Sequence, residues 1–278
     1  MPTRGLGLLA CLAAIAAAAA AETPKAPAEL SAQEIDHCVQ QNFPDDTMTQ
    51  TMKMLMKDRM GVERLLEAEM YWEKDPATRL SKVLLKFDNP PELRGAAVLV
   101  IEKTPTSDMF MFLPELGKTR RITSSMVNGN MMGTDFTYED FSRLQGMIGN
   151  LEATRAPDEQ LAGRAAFVTE SKPAAGTDSE YERIRSVIDQ QTCVPLRVEF
   201  FQKGLAEPAK VLSVDPAAIT EVKSGWMPRA LRMEDLRGGT STNLLIEKLE
   251  VGVPIAKKMF SQTELERQGR FGAAVTRQ

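Results

Sequence analysis

From position 47 to 57 the chain reads with a period of two: Met48, Met52, Met54 and Met56 fall between Thr49, Thr51, Lys53 and Lys57. A helix cannot segregate that pattern, because its faces recur every 3.6 residues, whereas successive side chains of a strand point to opposite faces. The stretch is a strand with one buried and one wet face. After a turn over 58–61, Val62, Leu66, Ala68, Met70 and Trp72 alternate with Glu63, Glu67, Glu69 and Tyr71 in a second strand of the same kind. Two such strands in succession must pair with others and cover a core, which commits the chain to antiparallel β structure.

The same signals continue along the chain. Segments 78–87 and 95–103 flank Asn89-Pro90-Pro91, and 109–113 with 118–122 reads as a hairpin about a turn at 114–117. Further strands are expected at 147–156, 162–171, 181–189, 194–202, 209–214, 219–223, 226–234 and 240–251; Tyr181, Ile184 and Ile188 also fit a helix, but the segment runs into the strand at 194–202 and is read as a hairpin with it. Helix is sparse. Ser31 and Glu34 form a capping box, and Ile35, Cys38, Val39 and Asn42 share one face until Pro44 ends the run. Short helical pieces are expected at 254–260 and 262–267. The residues alone give a mainly β fold, a sandwich or barrel of roughly eleven antiparallel strands behind one capped helix.

Arg4, an apolar Ala-rich block over 6–21, and Ala19-Ala20-Ala21 before Glu22 have the form of a secretory signal peptide. A membrane span is the other reading, but the block is shorter than the ~20 residues a bilayer needs, and Pro24 and Pro27 follow it. Leu8-Leu9-Ala10-Cys11 loosely resembles a lipobox, which would instead anchor the chain through a lipid on Cys11. The expected organisation is a signal peptide over 1–21, a linker over 22–30, one domain over 31–268 and a disordered tail over 269–278, with the protein in the periplasm. Cleavage leaves Cys38 and Cys193, an even count in an oxidising compartment, and predicts one disulfide. The net charge of −4, without a long basic run, argues against nucleic acid as a partner.

The stretch 109–141 is the most distinctive. Met109-Phe110-Met111-Phe112-Leu113 is apolar throughout, which a strand tolerates only with both faces covered. Lys118, Arg120 and Arg121 follow, then a loop over 124–133 rich in Ser, Asn, Gly and Met, then an aromatic-rich run over 135–141. Phe112-Leu113-Pro114, Arg120-Arg121-Ile122, the run 132–140, Pro195-Leu196-Arg197-Val198-Glu199 and the closing 260–267 together resemble the outer membrane lipoprotein-sorting proteins, relatives of the periplasmic lipoprotein carrier, across about 29–267. The resemblance implies a strongly curved antiparallel sheet, an unclosed β-barrel with the N-terminal helix and short helices covering its concave side, and a lipid tail held on that side. Classical carriers of this kind work between an inner-membrane transporter and an outer-membrane acceptor.

Nothing in the chain assembles into a catalytic signature. His37 is the only histidine and sits beside Cys38 in the N-terminal helix, and no Gly-x-Ser-x-Gly turn, CxxC, HExxH, calcium loop or phosphate-binding glycine loop occurs. No enzyme activity, cofactor or metal is expected. Methionine is abundant, 16 residues, and its flexible, polarizable side chain suits a surface that repacks around varied acyl chains. The candidate lipid-binding set is Met52, Met54, Met56, Met70, Met109, Phe110, Met111 and Phe112, beside Met48, with Met131, Met132 and Phe136 from a lid. Burial pattern cannot tell a filled core from a cavity; the resemblance is what points to the cavity, lined by whichever alternate set faces inward.

Two further features stay open. Lys118, Arg120 and Arg121 either guard a sheet edge or meet anionic headgroups or a partner's acidic surface. The 124–133 loop is either a lid or a plain connection. The function expected is a monomeric periplasmic carrier sheltering acyl chains of a lipoprotein or lipid. The alternative is an accessory subunit of an envelope exporter that binds protein, and a hydrolase would need His37 beside an activated hydroxyl.

Overall fold

The computed structural model describes residues 26–104, 107–147, 151–173 and 178–267. The expected signal peptide and tail lie outside them. Residues 26–30 hold a 3-10 turn at Pro27–Glu29, and the folded unit begins at Ser31. Its first element is α1 (Ala32–Gln41), started by the expected capping box: Ser31 Oγ accepts from Glu34 N while Ser31 N donates to the Glu34 carboxylate at 2.8 Å.

Six strands then run as a meander: β1 (Thr47–Lys57), β2 (Glu63–Lys74), β3 (Ser81–Asn89), β4 (Ala97–Ile101), β5 (Asp108–Leu113) and β6 (Lys118–Arg121). After two short helices, α2 (Ser124–Val127) and α3 (Tyr138–Leu144), come β7 (Leu151–Leu161), β8 (Arg164–Pro173), β9 (Tyr181–Asp189), β10 (Pro195–Gln202) and β11 (Lys210–Val214). A small hairpin, β12 (Ile219–Val222) with β13 (Gly225–Pro228), precedes β14 (Ala230–Asp235) and β15 (Thr240–Val251). Thirteen strands form one antiparallel sheet in the order β6-β5-β4-β3-β2-β1-β15-β14-β11-β10-β9-β8-β7. The sheet does not close. Its two edges, β6 and β7, are consecutive in sequence, so the segment between them has to travel from one edge to the other. That return path is why α2 and α3 lie over the concave face.

Strand β1 is central, with Met54 opposite Leu66 of β2 and Leu244 of β15. Its alternation is as read: Met48, Met52, Met54 and Met56 are buried, while Lys53 on the other face holds Glu247 at 2.8 Å. Strands β3 to β5 are buried on both faces, as the unbroken apolar run at 109–113 required. Val98, Val100, Met109 and Met111 join the main core, whereas Leu84, Leu99, Phe110 and Phe112 pack on the opposite side against Phe260 and Leu265. The turn Lys257–Phe260 and the helical residues 262–267 thus form the outer cover.

Three expectations change. The strand expected over 226–234 divides, because Pro228 has no N–H to continue a ladder: β13 ends there and β14 joins the main sheet. The strand expected over 147–156 is β7, beginning at Leu151 and running on through Pro157, and the next, β8, starts at Arg164. Proline is tolerated because β7 is an edge, and the register shifts there between Ala156 and Glu159. Met147 instead closes the turn after α3, donating its N–H to Ser142 O at 3.0 Å.

Candidate functional site

On the concave side, between the sheet and α1 and α3, lies a cavity of about 780 Å³, within the range that holds a drug-sized ligand. Alternating inward residues of six strands make its floor. Met52 and Met54 of β1 are followed by Leu244 and Ile246 of β15, Leu231 and Met233 of β14, Leu212 and Val214 of β11, Val198 and Phe200 of β10, and Ile184 and Ile188 of β9. Val39 of α1 and Phe141 and Leu144 of α3 face them. Polar groups reach the wall mainly from its helical side: Gln33, Asp36, Gln40 and Asn42 from α1 and Asp140, Arg143 and Gln145 from α3 and its end, with Glu102, Gln50, Thr169, Ser171 and Ser186 elsewhere on the lining.

The α1 wall is fastened at its C-terminal end. Cys38 is disulfide-bonded to Cys193, as expected, with Cα atoms 5.8 Å apart. Asn42 accepts from Trp226 N and donates to Thr192 O, both at 2.9 Å. Cys193 itself has φ +55°, unusual for a residue with a Cβ, and its turn is held by Asp189. The Asp189 carboxylate takes two hydrogen bonds from Arg164, at 2.8 and 2.7 Å, and two from Thr192 N and Oγ1, at 2.9 and 2.6 Å. Burial would raise this carboxyl, but the Arg164 and Thr192 bonds outweigh it and hold it below the usual aspartate range.

The α3 wall rests on a buried polar network. Thr137 and Asp140 form a capping box at the helix start. Asp140 also accepts from Tyr181 Oη at 2.8 Å, and Lys210 donates to Asp135 O at 3.0 Å. The Asp135 carboxylate accepts from Thr240 and Thr242 hydroxyls, the latter at 2.6 Å. Burial, then the Asp140 charge, push the Tyr181 phenol far above its ordinary value, so it stays a donor. These bonds give the 132–140 run a physical meaning: Asp135 and Asp140 clamp the returning segment onto β9, β11 and β15, and Thr137 caps the helix that carries Asp140. The Thr-x-x-Asp cap was present in the sequence and marks α3, which the reading by alternation passed over.

The candidate residues separate into three groups. Met52, Met54, Met131 and Phe136 line the cavity. Met56, Met70, Met109 and Met111 share the concave face but sit in filled core together with Ile122 and Met147, and Met132 packs at its margin. Phe110 and Phe112 are a correction, for they point to the opposite face; neighbours in a strand cannot share a wall. The loop over 124–133 is folded into α2 and the turn Met131–Gly133, with Met131 itself buried. Conversely, the cavity-facing residues of β9 to β15, which supply most of the apolar floor, were absent from the candidate set although their strands were recognised.

Lys118, Arg120 and Arg121 all lie on the edge strand β6 and are exposed. Arg121 pairs with Asp108, which Lys103 shares; the Lys103 hydrogen bond and these cations hold the Asp108 carboxyl low. The edge is also partly covered, since Thr119 N donates to the Glu266 carboxylate at 3.2 Å. His37 is exposed on α1, with a ring nitrogen 3.1 Å from the Gln41 amide.

A family model described as an uncharacterized protein matches residues 79–267. No curated protein matches the chain. Among solved structures, a DUF1329 family protein from Desulfovibrio piger is similar with a TM-score of 0.78 at 20% identity, covering 84% of this chain and 96% of its own. A putative outer membrane lipoprotein-sorting protein domain from Vibrio parahaemolyticus gives 0.76 at 24% identity, covering 85% and 100%. A LolA superfamily protein from Nitrosomonas europaea gives 0.65 at 17% identity, covering 84% and 99%. At these identities the likeness is one of fold, and it bears out the unclosed-barrel architecture.

Proposed function

The chain belongs to the family whose model it matches over residues 79–267, and from its fold and its cavity we propose that it is a non-enzymatic carrier for acyl chains of a lipid or lipoprotein. The observation that carries the reading is the cavity of about 780 Å³ with an apolar floor drawn from six strands and few charges on its wall. Burying a methylene from water contributes about 0.8 kcal/mol, so ten buried methylenes supply roughly 8 kcal/mol before the costs of binding. Each further buried methylene adds to that gain, so the affinity is set by the length of chain the cavity takes in, with no chemistry required. A chain-like ligand also fits a floor rich in methionine and branched aliphatic residues, which can adjust to different lengths.

Other observations support the reading. The Cys38–Cys193 bond suits an oxidising compartment, and among the described residues no helix is long and apolar enough to cross a membrane. We place the protein in the periplasm, moving cargo between an inner-membrane donor and an outer-membrane acceptor. A protein-binding accessory subunit would call for a solidly packed concave face; this face is packed beneath β3 to β5 but hollow beneath β9 to β15. A hydrolase built on His37 has the Gln41 amide where it needs a hydroxyl. Titration with a fluorescent fatty-acyl probe tests the proposal. Saturable binding displaced by unlabelled lipid is expected, and no saturable binding to delipidated protein would overturn it.

A further inference from the structure

The stripe of α1 that faces the cavity carries one charge. Ala32, Asp36, Val39 and, just past the helix end, Phe43 recur at helical spacing along the lining. The sheet side of the same helix is taken by Ile35, which is buried, and by Cys38, which is bonded to Cys193. Among the described residues the Asp36 carboxylate has no hydrogen-bond or ion-pair partner. The other charged groups of the lining are engaged. Asp140 is held by Tyr181 and Lys210, Arg143 donates twice to Glu139, at 3.1 and 2.6 Å, and Glu102 accepts from Ser81 N at 2.7 Å. Burial pushes the Asp36 carboxyl above the usual aspartate range, and the adjacent His37 pulls it the other way.

Asp36 lines the cavity and is also exposed to solvent, which places it at the mouth. While the cavity is empty, water solvates the carboxylate. An acyl chain entering beside it removes part of that water, a cost to any charge left without a partner. Cargo with an anionic end adds repulsion to the cost, whereas cargo with a protonated amine offsets it. We infer that Asp36 makes the cavity selective for acyl cargo whose polar end is a primary ammonium group, seated at the mouth against α1; the inference rests on the carrier reading. The neighbours of Asp36 fit that group. Gln33 and Gln40, one turn to either side, also line the cavity, so their amide oxygens flank the carboxylate on one face. An ammonium brings three donors to this set of acceptors, a hydroxyl brings one, and a carboxylate brings none. The cation that could attract an anionic end instead, Arg143, is already committed to Glu139.

The test is displacement of a fluorescent fatty-acyl probe, at neutral pH, by dodecylamine, dodecanol and dodecanoate, which share one chain and differ only at the polar end. The amine should displace the probe at about tenfold lower concentration than the alcohol, the size of one hydrogen bond to a charged group, and dodecanoate should be weakest. Asp36→Asn should bring the amine and the alcohol within about twofold of each other, and Asp36→Lys should make dodecanoate the strongest of the three. Displacement by the alcohol with no advantage for the amine would overturn the inference and leave the carrier reading standing. So would an advantage that survives Asp36→Asn, which would come from the negative charge of the surface at large, or a preference of wild type for dodecanoate, which would put selection on Arg143. Failure of all three to displace the probe would overturn the carrier reading and the inference with it.

Discussion

Nζ of Lys210 in β11 lies 3.4 Å from Oδ2 of Asp140 in α3, and the two side chains are 5% and 0% exposed. A pair this deep is expensive to desolvate, and its main consequence is geometric: it ties the returning segment to the sheet at one place. Removing one partner leaves the other as a buried, uncompensated charge. Lys210→Met is expected to cost about 3–5 kcal/mol in urea unfolding. Combining it with Asp140→Asn should cost less than the sum of the single changes, and strictly additive losses would contradict the pairing.

The disulfide should dominate the tether of α1. Cys38 and Cys193 are separated by 155 positions, and closing a loop of that length stabilises by about 5 kcal/mol in the chain-entropy model, an upper figure. Intact mass after alkylation should show no free thiol at these positions until reductant is added. The denaturant midpoint should fall on reduction, and fall no further when both cysteines are replaced by serine. Two thiols alkylated without reductant would contradict the bridge.

Acid should loosen the turn beside it. The folded Asp189 carboxyl is held below its unfolded value near 3.9, so its contribution is present above that pH and is lost as the pH falls through the folded value. Asp189→Asn is expected to be less stable at neutral pH and to lose less stability than wild type on going below about pH 4. Parallel stability curves for the two proteins would show that Asp189 is not the group concerned.

Much of the fold was legible because period-two alternation is a local signal: β1 and β2 follow from where the methionines and glutamates fall, while β9, whose Tyr181, Ile184 and Ile188 have helical spacing, is read as a strand only from its continuation into β10. Cys38 and Cys193 were legible by count alone. The site was less so. Alternation says that Met54 and Met111 are buried, but only the strand order shows that Met54 lies beneath empty space and Met111 beneath a packed segment. Treating 109–113 as one wall merged its two faces, and the partner of the outer face, Phe260 with Leu265, is about 150 positions away in a segment whose docking no local pattern encodes. The Asp135–Thr242 and Asp140–Lys210 bonds are equally long-range. Their residues could be recognised as distinctive, yet not as a clamp.

The separation of faces is testable. Phe112, fully buried under the outer cover, should be a stability position only: Phe112→Ala is expected to cost about 3–5 kcal/mol and to leave acyl-probe affinity of the folded protein within twofold, about 0.4 kcal/mol. A large loss of affinity without loss of stability would return Phe112 to the binding site.

The most direct test of the carrier reading is native mass spectrometry of the protein purified under gentle conditions, beside a variant whose cavity is filled. Met54 faces the cavity from the central strand, and Met54→Trp adds bulk there while keeping an apolar side chain. The account predicts that wild type carries lipid-sized adducts that leave on activation and are rebuilt by adding acyl lipid, and that a folded Met54→Trp protein carries few. Wild type without adducts before and after lipid addition, or a filled variant loaded like wild type, would contradict it.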